Sequence, residues 1–150
     1  MKRVVCWMLA ILFACVLTGC GADMYADTNG AGDFSLQTLT DHDILHVRRC
    51  VRVMSSTKRF GNKTVCKTKT MSGVTDLYKG YLRGEDFQIT VSSEFTKGNA
   101  RLMLVLEDAI LHDFALSGEG QTFRIPAAKG RVYLRVAGES TGYRVEYRIQ

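Results

Sequence analysis

The sequence predicts an all-β domain, a single antiparallel β-sandwich, and three observations lead there. From Phe87 to Ile149, apolar and polar residues alternate with period two, the pattern of strands with one wet face. Turn residues interrupt that alternation at short, regular intervals: Lys97-Gly98-Asn99, Gly118-Glu119-Gly120, Lys129-Gly130 and Gly138–Gly142. Beyond the first twenty residues, no window of about eleven residues carries an apolar stripe at helical spacing. The composition agrees. With 46% hydrophobic and 23% charged residues the chain has globular proportions, and a single Pro excludes a proline-rich stalk. A chain of 150 residues has the size of one domain.

The chain opens differently. Lys2 and Arg3 precede an uncharged apolar run, Val4–Leu17. Its fourteen residues would span roughly 21 Å as a helix, short of a bilayer core of about 30 Å. This predicts the apolar region of an export signal rather than a span. The run ends in Leu17-Thr18-Gly19-Cys20. Those four residues resemble the lipobox of bacterial lipoproteins, in which small residues enter a peptidase cleft and the Cys thiol accepts lipid. The resemblance implies a signal peptide over 1–19 and a lipidated tether over 20–35. It implies lipidation of Cys20 by a diacylglyceryl thioether, usually with an N-acyl chain such as palmitate. It also implies an extracytoplasmic, membrane-anchored protein. Gly21, where inner-membrane lipoproteins commonly carry Asp, points to the outer membrane if the cell has one. The alternative is an ordinary signal peptide or a short anchor.

Loss of Lys2 and Arg3 leaves 18 basic residues against 15 acidic ones, a net charge of +3. That charge and the exported location argue against nucleic acid as a partner. Residues 21–35 are rich in Gly, Asp, Asn and small side chains, as in a tether, so the domain is expected over 36–150. Of five Cys, Cys6 and Cys15 fall in the signal and Cys20 carries lipid. Cys50 and Cys66 remain, an even number in an exported domain. If Val47–Met54 pairs with Lys63–Thr70 around a turn near Thr57–Asn62, the two stand opposite each other, close enough to bond. Such a disulfide contributes roughly 3 kcal/mol in the chain-entropy model. The alternative is two buried free thiols.

The remaining strands follow in order. Phe87, Ile89, Val91 and Phe95 form one apolar face, and Leu102, Leu104 and Leu106 another. Because Met103 and Val105 are also apolar, that strand is expected to be covered on both sides. Ile110–Leu116 is a third run and Thr122–Ile125 a fourth. Val132, Leu134 and Val136, then Tyr143, Val145, Tyr147 and Ile149, alternate with charged residues to the end. Over 79–149 the succession of strands and turns includes Ile125-Pro126-Ala127-Ala128-Lys129-Gly130-Arg131-Val132-Tyr133-Leu134-Arg135-Val136 and Gly142-Tyr143-Arg144-Val145-Glu146-Tyr147. It is similar to the bacterial pre-peptidase C-terminal domain, a jelly-roll-like β-sandwich appended to secreted proteases. The resemblance implies a non-catalytic accessory or binding module. The Asp-Leu-Asp run frequent in that family is absent; Glu107-Asp108 sits nearby, and no metal role is carried over.

Candidate chemistry is sparse. Asp41-His42-Asp43 with His46 is the densest group of ligand-type residues; His42 and His46 would share a face on a helix, but lie about 13 Å apart on a strand. The plainer reading is an exposed entry into the first strand, so no metal and no cofactor is expected. His112 is in phase with Ile110, Phe114 and Leu116, as a core or edge histidine would be. Ser55-Ser56-Thr57-Lys58 matches Ser-x-x-Lys, but the partner motifs of the enzymes that use it are missing, so no catalytic residue is assigned. The strongest local feature is charge. Arg48, Arg49, Arg52, Lys58, Arg59, Lys63, Lys67 and Lys69 fall in a segment that has no acidic residue between 44 and 75. Arg48, Arg49, Arg52, Lys63, Lys67 and Lys69 are the anion-binding candidates, facing lipid head groups, an anionic envelope polymer or another envelope protein. The alternative is a solvated edge whose cations discourage aggregation. A binding or envelope-interaction module is therefore expected, against a small extracytoplasmic enzyme or enzyme inhibitor with a His/Asp site.

Overall fold

The computed structural model describes residues 40–46 and 49–150. The expected signal peptide, Cys20 and the tether lie outside the described residues. The elements are α1 (Asp41–His46), β1 (Cys50–Phe60), β2 (Lys63–Arg83), β3 (Phe87–Leu106), β4 (Ala109–Phe114), β5 (Ser117–Ile125) and β6 (Lys129–Ile149). All strand pairs are antiparallel, in the order β1-β2-β6-β3-β4, with β5 also beside β3.

Three strands are far longer than the usual five or six residues: β2 and β6 have 21 residues each and β3 has 20. Their register breaks at the same level. The β2–β6 pairing shifts between Thr68, Met71 and Gly73, and the β3–β6 pairing between Phe95, Lys97 and Asn99. At these bends the single sheet turns back on itself. Residues 63–68, 143–149 and 87–95 with β5 form one half, ordered β2-β6-β3-β5. Residues 73–83, 129–138 and 99–106 with β4 form the other, ordered β2-β6-β3-β4. Two four-stranded layers with these orders make a jelly-roll sandwich, and β1 extends the first layer beyond β2.

The layers face each other across one core. Ile89, Val91 and Val145 of the first share a buried cluster with Leu102, Leu104, Leu134 and Val136 of the second. The Tyr147 hydroxyl donates across it to the Leu77 carbonyl at 2.9 Å, and Tyr78 stacks on Phe87. The second layer is also covered on its far side, where α1 sets Ile44 and Leu45 over Val74, Met103, Val105, Tyr133 and Ala137. Leu102 to Val105 are fully buried, as an apolar run covered on both faces should be.

Two expectations are corrected at the bends. Lys97-Gly98-Asn99 and Gly138–Gly142 are not reversals between strands but kinks within β3 and β6. The glycine signal is real. Gly98 has a positive φ of 71°, and a Cβ there would collide with the Glu139 carbonyl oxygen of β6. A third correction is α1, six residues long and too short for an eleven-residue periodicity to reveal. Thr40 caps it: its hydroxyl accepts from the Asp43 amide at 3.2 Å, and the Asp43 carboxylate accepts from the Thr40 amide at 3.0 Å.

Candidate functional site

The β1–β2 hairpin turns at Gly61-Asn62, with Gly61 at φ 59°, a two-residue turn that fixes Phe60 opposite Lys63. The turn lies further along the chain than pairing of the two Cys requires. Thr57 therefore stands opposite Cys66 and Cys50 opposite Gly73, seven register positions apart. The expected Cys50–Cys66 bridge is overturned: both are free thiols. Burial raises the pKa of each above its ordinary value; at Cys66 the Thr57 hydroxyl and the charges of Arg52 and Arg59 partly oppose it.

The same register sorts the cations. On the outer face of the first layer, Lys58 of β1 stands opposite Val65, and Phe60 opposite Lys63. Lys67 stands beside Arg144, Val65 beside Glu146, and Lys63 beside Arg148. Three adjacent strands thus present Lys58, Lys63, Lys67, Arg144 and Arg148 around one carboxylate, Glu146, which Lys63 contacts. Of the six residues expected to bind anions, Lys63 and Lys67 lie here. Lys69 is exposed at the bend, and Arg48 is outside the described residues. Arg52 lies away from this face, in a cleft of about 220 Å³ with Cys50, Val74, Thr75, Asp76 and Arg135. Arg49 precedes β1, and its carbonyl accepts from the Val74 amide at 2.8 Å. Arg144 and Arg148 were missed because a charge run along the chain cannot show them. Their only signal is the polar phase of the last strand, and using it requires knowing that β6 lies beside β2.

Towards β3 and β5 the face turns acidic. Two shallow depressions of about 330 and 320 Å³ carry Glu94 and Glu119 alongside Arg144, Glu146 and Arg148.

The histidine candidates are accounted for. His42 and His46 share a face of α1, with ring centroids 4.2 Å apart. The neighbouring carboxylates are engaged elsewhere, Asp41 with Arg101 at 2.7 Å and Asp43 with Thr40. Among the described residues, no three His, Cys, Asp or Glu come together to hold a metal ion. His112 stacks on Phe123 and meets Phe114 edge-on. Ser55 and Lys58 are three residues apart on a strand and so face opposite sides; the Ser55 hydroxyl accepts from Thr68.

No family model matches the chain, and no curated protein matches it. Among solved structures it is similar to a cupin domain from Bordetella pertussis Tohama I, at 12% identity over 65% of this chain and 92% of that one, with a TM-score of 0.30. It is also similar to a cupin superfamily protein from Desulfitobacterium hafniense DCB-2, at 10% identity over 78% of this chain and 94% of that one, with a TM-score of 0.32. At these identities and TM-scores the likeness says nothing of a site.

Proposed function

We propose that this protein is a bacterial lipoprotein, anchored through lipid on Cys20, that presents a non-catalytic β-sandwich as a binding module at the cell envelope. Its contact surface is the cationic outer face of β1, β2 and β6, and its partner carries phosphate or carboxylate groups. The observation that carries this reading is the register that gathers Lys58, Lys63, Lys67, Arg144 and Arg148 around a single Glu146. Five cations on a flat face of three strands create a positive field that draws in polyanions and weakens with salt. The lipobox resemblance supports the envelope location.

The test uses full-length protein with Cys20→Ser, so that a lipid chain does not mask weaker contacts. Retention is measured on phosphatidylglycerol vesicles and on immobilised polyglutamate, with phosphatidylcholine vesicles as control. Replacing Lys58, Lys67 and Arg144 by Ser removes three exposed cations at about 1 kcal/mol each. Retention is expected to fall roughly a hundredfold and to depend less on salt. Unchanged retention on both polyanions refutes the assignment.

A further inference from the structure

β1 is an edge strand. It pairs with β2 on one side, and among the described residues nothing pairs with the other. Ten of its eleven residues are exposed, including Val51, Val53, Met54 and Phe60. In a hairpin closed by a two-residue turn, the flanking pair exchanges hydrogen bonds and the pattern alternates from there. With Phe60 and Lys63 as that pair, Ser55, Thr57 and Arg59 turn their amides and carbonyls to the open side. An edge like this is a template for another strand.

The charge on the edge selects what can add. β1 carries Arg52, Lys58 and Arg59 and no acidic residue, so a second copy paired along it brings cations and no carboxylate to these three. Like charges directly opposed are destabilising. A carboxylate-bearing strand meets Arg52 and Arg59 favourably on the side away from Lys58, and its apolar side chains find Met54 and Phe60 on the opposite face.

We propose that β1 accepts a further strand from another polypeptide, an extended acidic segment alternating carboxylates with apolar residues. This rests on reading the β1–β2 hairpin as the contact region and names the class of partner. Backbone bonds supply the alignment, while Arg52 and Arg59 supply the selectivity.

The probe is a capped synthetic peptide alternating Glu and Val, titrated into the Cys20→Ser protein. A second peptide carries N-methyl groups on every other amide, so that its charge is kept but one edge cannot bond. The plain peptide is expected to bind in slow or intermediate exchange, with amide shifts at Ser55, Thr57 and Arg59. The methylated peptide is expected to bind at least about tenfold more weakly. Thr57→Pro, which removes an outward amide, is expected to weaken the plain peptide likewise while leaving polyglutamate and vesicle retention unchanged. Equal binding of the two peptides would overturn strand addition and leave only charge, and so would absence of binding. Self-association through β1 at the concentrations used would also overturn the proposal, in favour of a second copy. Unchanged polyanion retention in the triple Ser variant, with the plain peptide still bound more tightly than the methylated one, would refute the cationic face and leave the edge standing.

Discussion

Arg135 offers the sharpest test of how the helix is held. Its side chain is 2% exposed, and its Nε donates to Asp76 at 2.6 Å. Its Nη1 donates to the carbonyls of Ile44 at 2.9 Å and Leu45 at 2.8 Å, in the last turn of α1. Both carbonyls lack partners within so short a helix, so this guanidinium satisfies them and fastens α1 to the second layer. Replacing Arg135 by Met keeps much of the volume and removes all three bonds. Bonds to neutral carbonyls contribute about 1 kcal/mol each, and the bond to a carboxylate about 2 kcal/mol. Asp76 keeps 21% of its side chain in water, so stranding it adds little. The expected loss is about 4 kcal/mol, within the usual 3–5 for removing one partner of a buried pair. With a urea slope near 2 kcal/mol/M, the unfolding midpoint should fall by about 2 M. Hydrogen exchange at the Ile44 amide, which donates to Thr40, should accelerate in the same variant. A midpoint change equivalent to less than about 1 kcal/mol, with Ile44 exchange unaltered, would show that Arg135 does not secure the helix.

Four further outcomes are expected. Leu104→Ala, at a fully buried position between the layers, should cost about 3–4 kcal/mol by urea unfolding. Gly73→Ala should cost at least about 2 kcal/mol, because Gly73 has φ 113° and a Cβ would collide with the Arg49 carbonyl; a change under 0.5 kcal/mol would mean β1 is free to shift there. Cys50 and Cys66, raised in pKa mainly by burial, should alkylate far more slowly at pH 7 in folded than in urea-unfolded protein, read site by site by peptide mass mapping. Asp43 lies below the ordinary 3.8 because of the Thr40 hydroxyl and then its amide, and Asp86 because of the Ala127 amide and then Arg124. Depressed carboxylates stabilise the fold above about pH 4, and that contribution disappears as pH falls through their lowered values. The stability gap between wild type and Asp43→Asn or Asp86→Asn should therefore close on acidification, and a gap that stays constant would contradict these bonds.

The architecture was legible where local pattern and global fold agree. Period-two alternation marked the strands containing Phe87–Val91 and Tyr143–Ile149, and the doubly apolar stretch Leu102–Val105 announced burial on both sides. What escaped was long range. Glycine clusters at 97–99 and 138–142 mark departures from a straight strand, but a kink and a reversal use the same residues, and only the partner strand distinguishes them. The hairpin register turned on which dipeptide forms the turn, and a slip there moved Cys66 from Cys50 to Thr57. Three of the five cations of the face, Lys58, Lys63 and Lys67, were readable as a run in β1 and β2. The other two, Arg144 and Arg148, sit on the last strand and become visible only once β6 is known to lie beside β2.

The position of β6 carries a consequence for biogenesis. The last strand of the domain runs down the middle of both layers, between β2 and β3 along almost its whole length. Until residues 129–149 are in place, β2 and β3 each expose a long, sticky border with no neighbour. Neither layer can close early, and folding waits on contacts between distant parts of the chain, which are slow to form. The folding chain therefore passes through a vulnerable interval in which a chaperone has an extended strand to hold, and that interval ends only when the final segment slots into the gap.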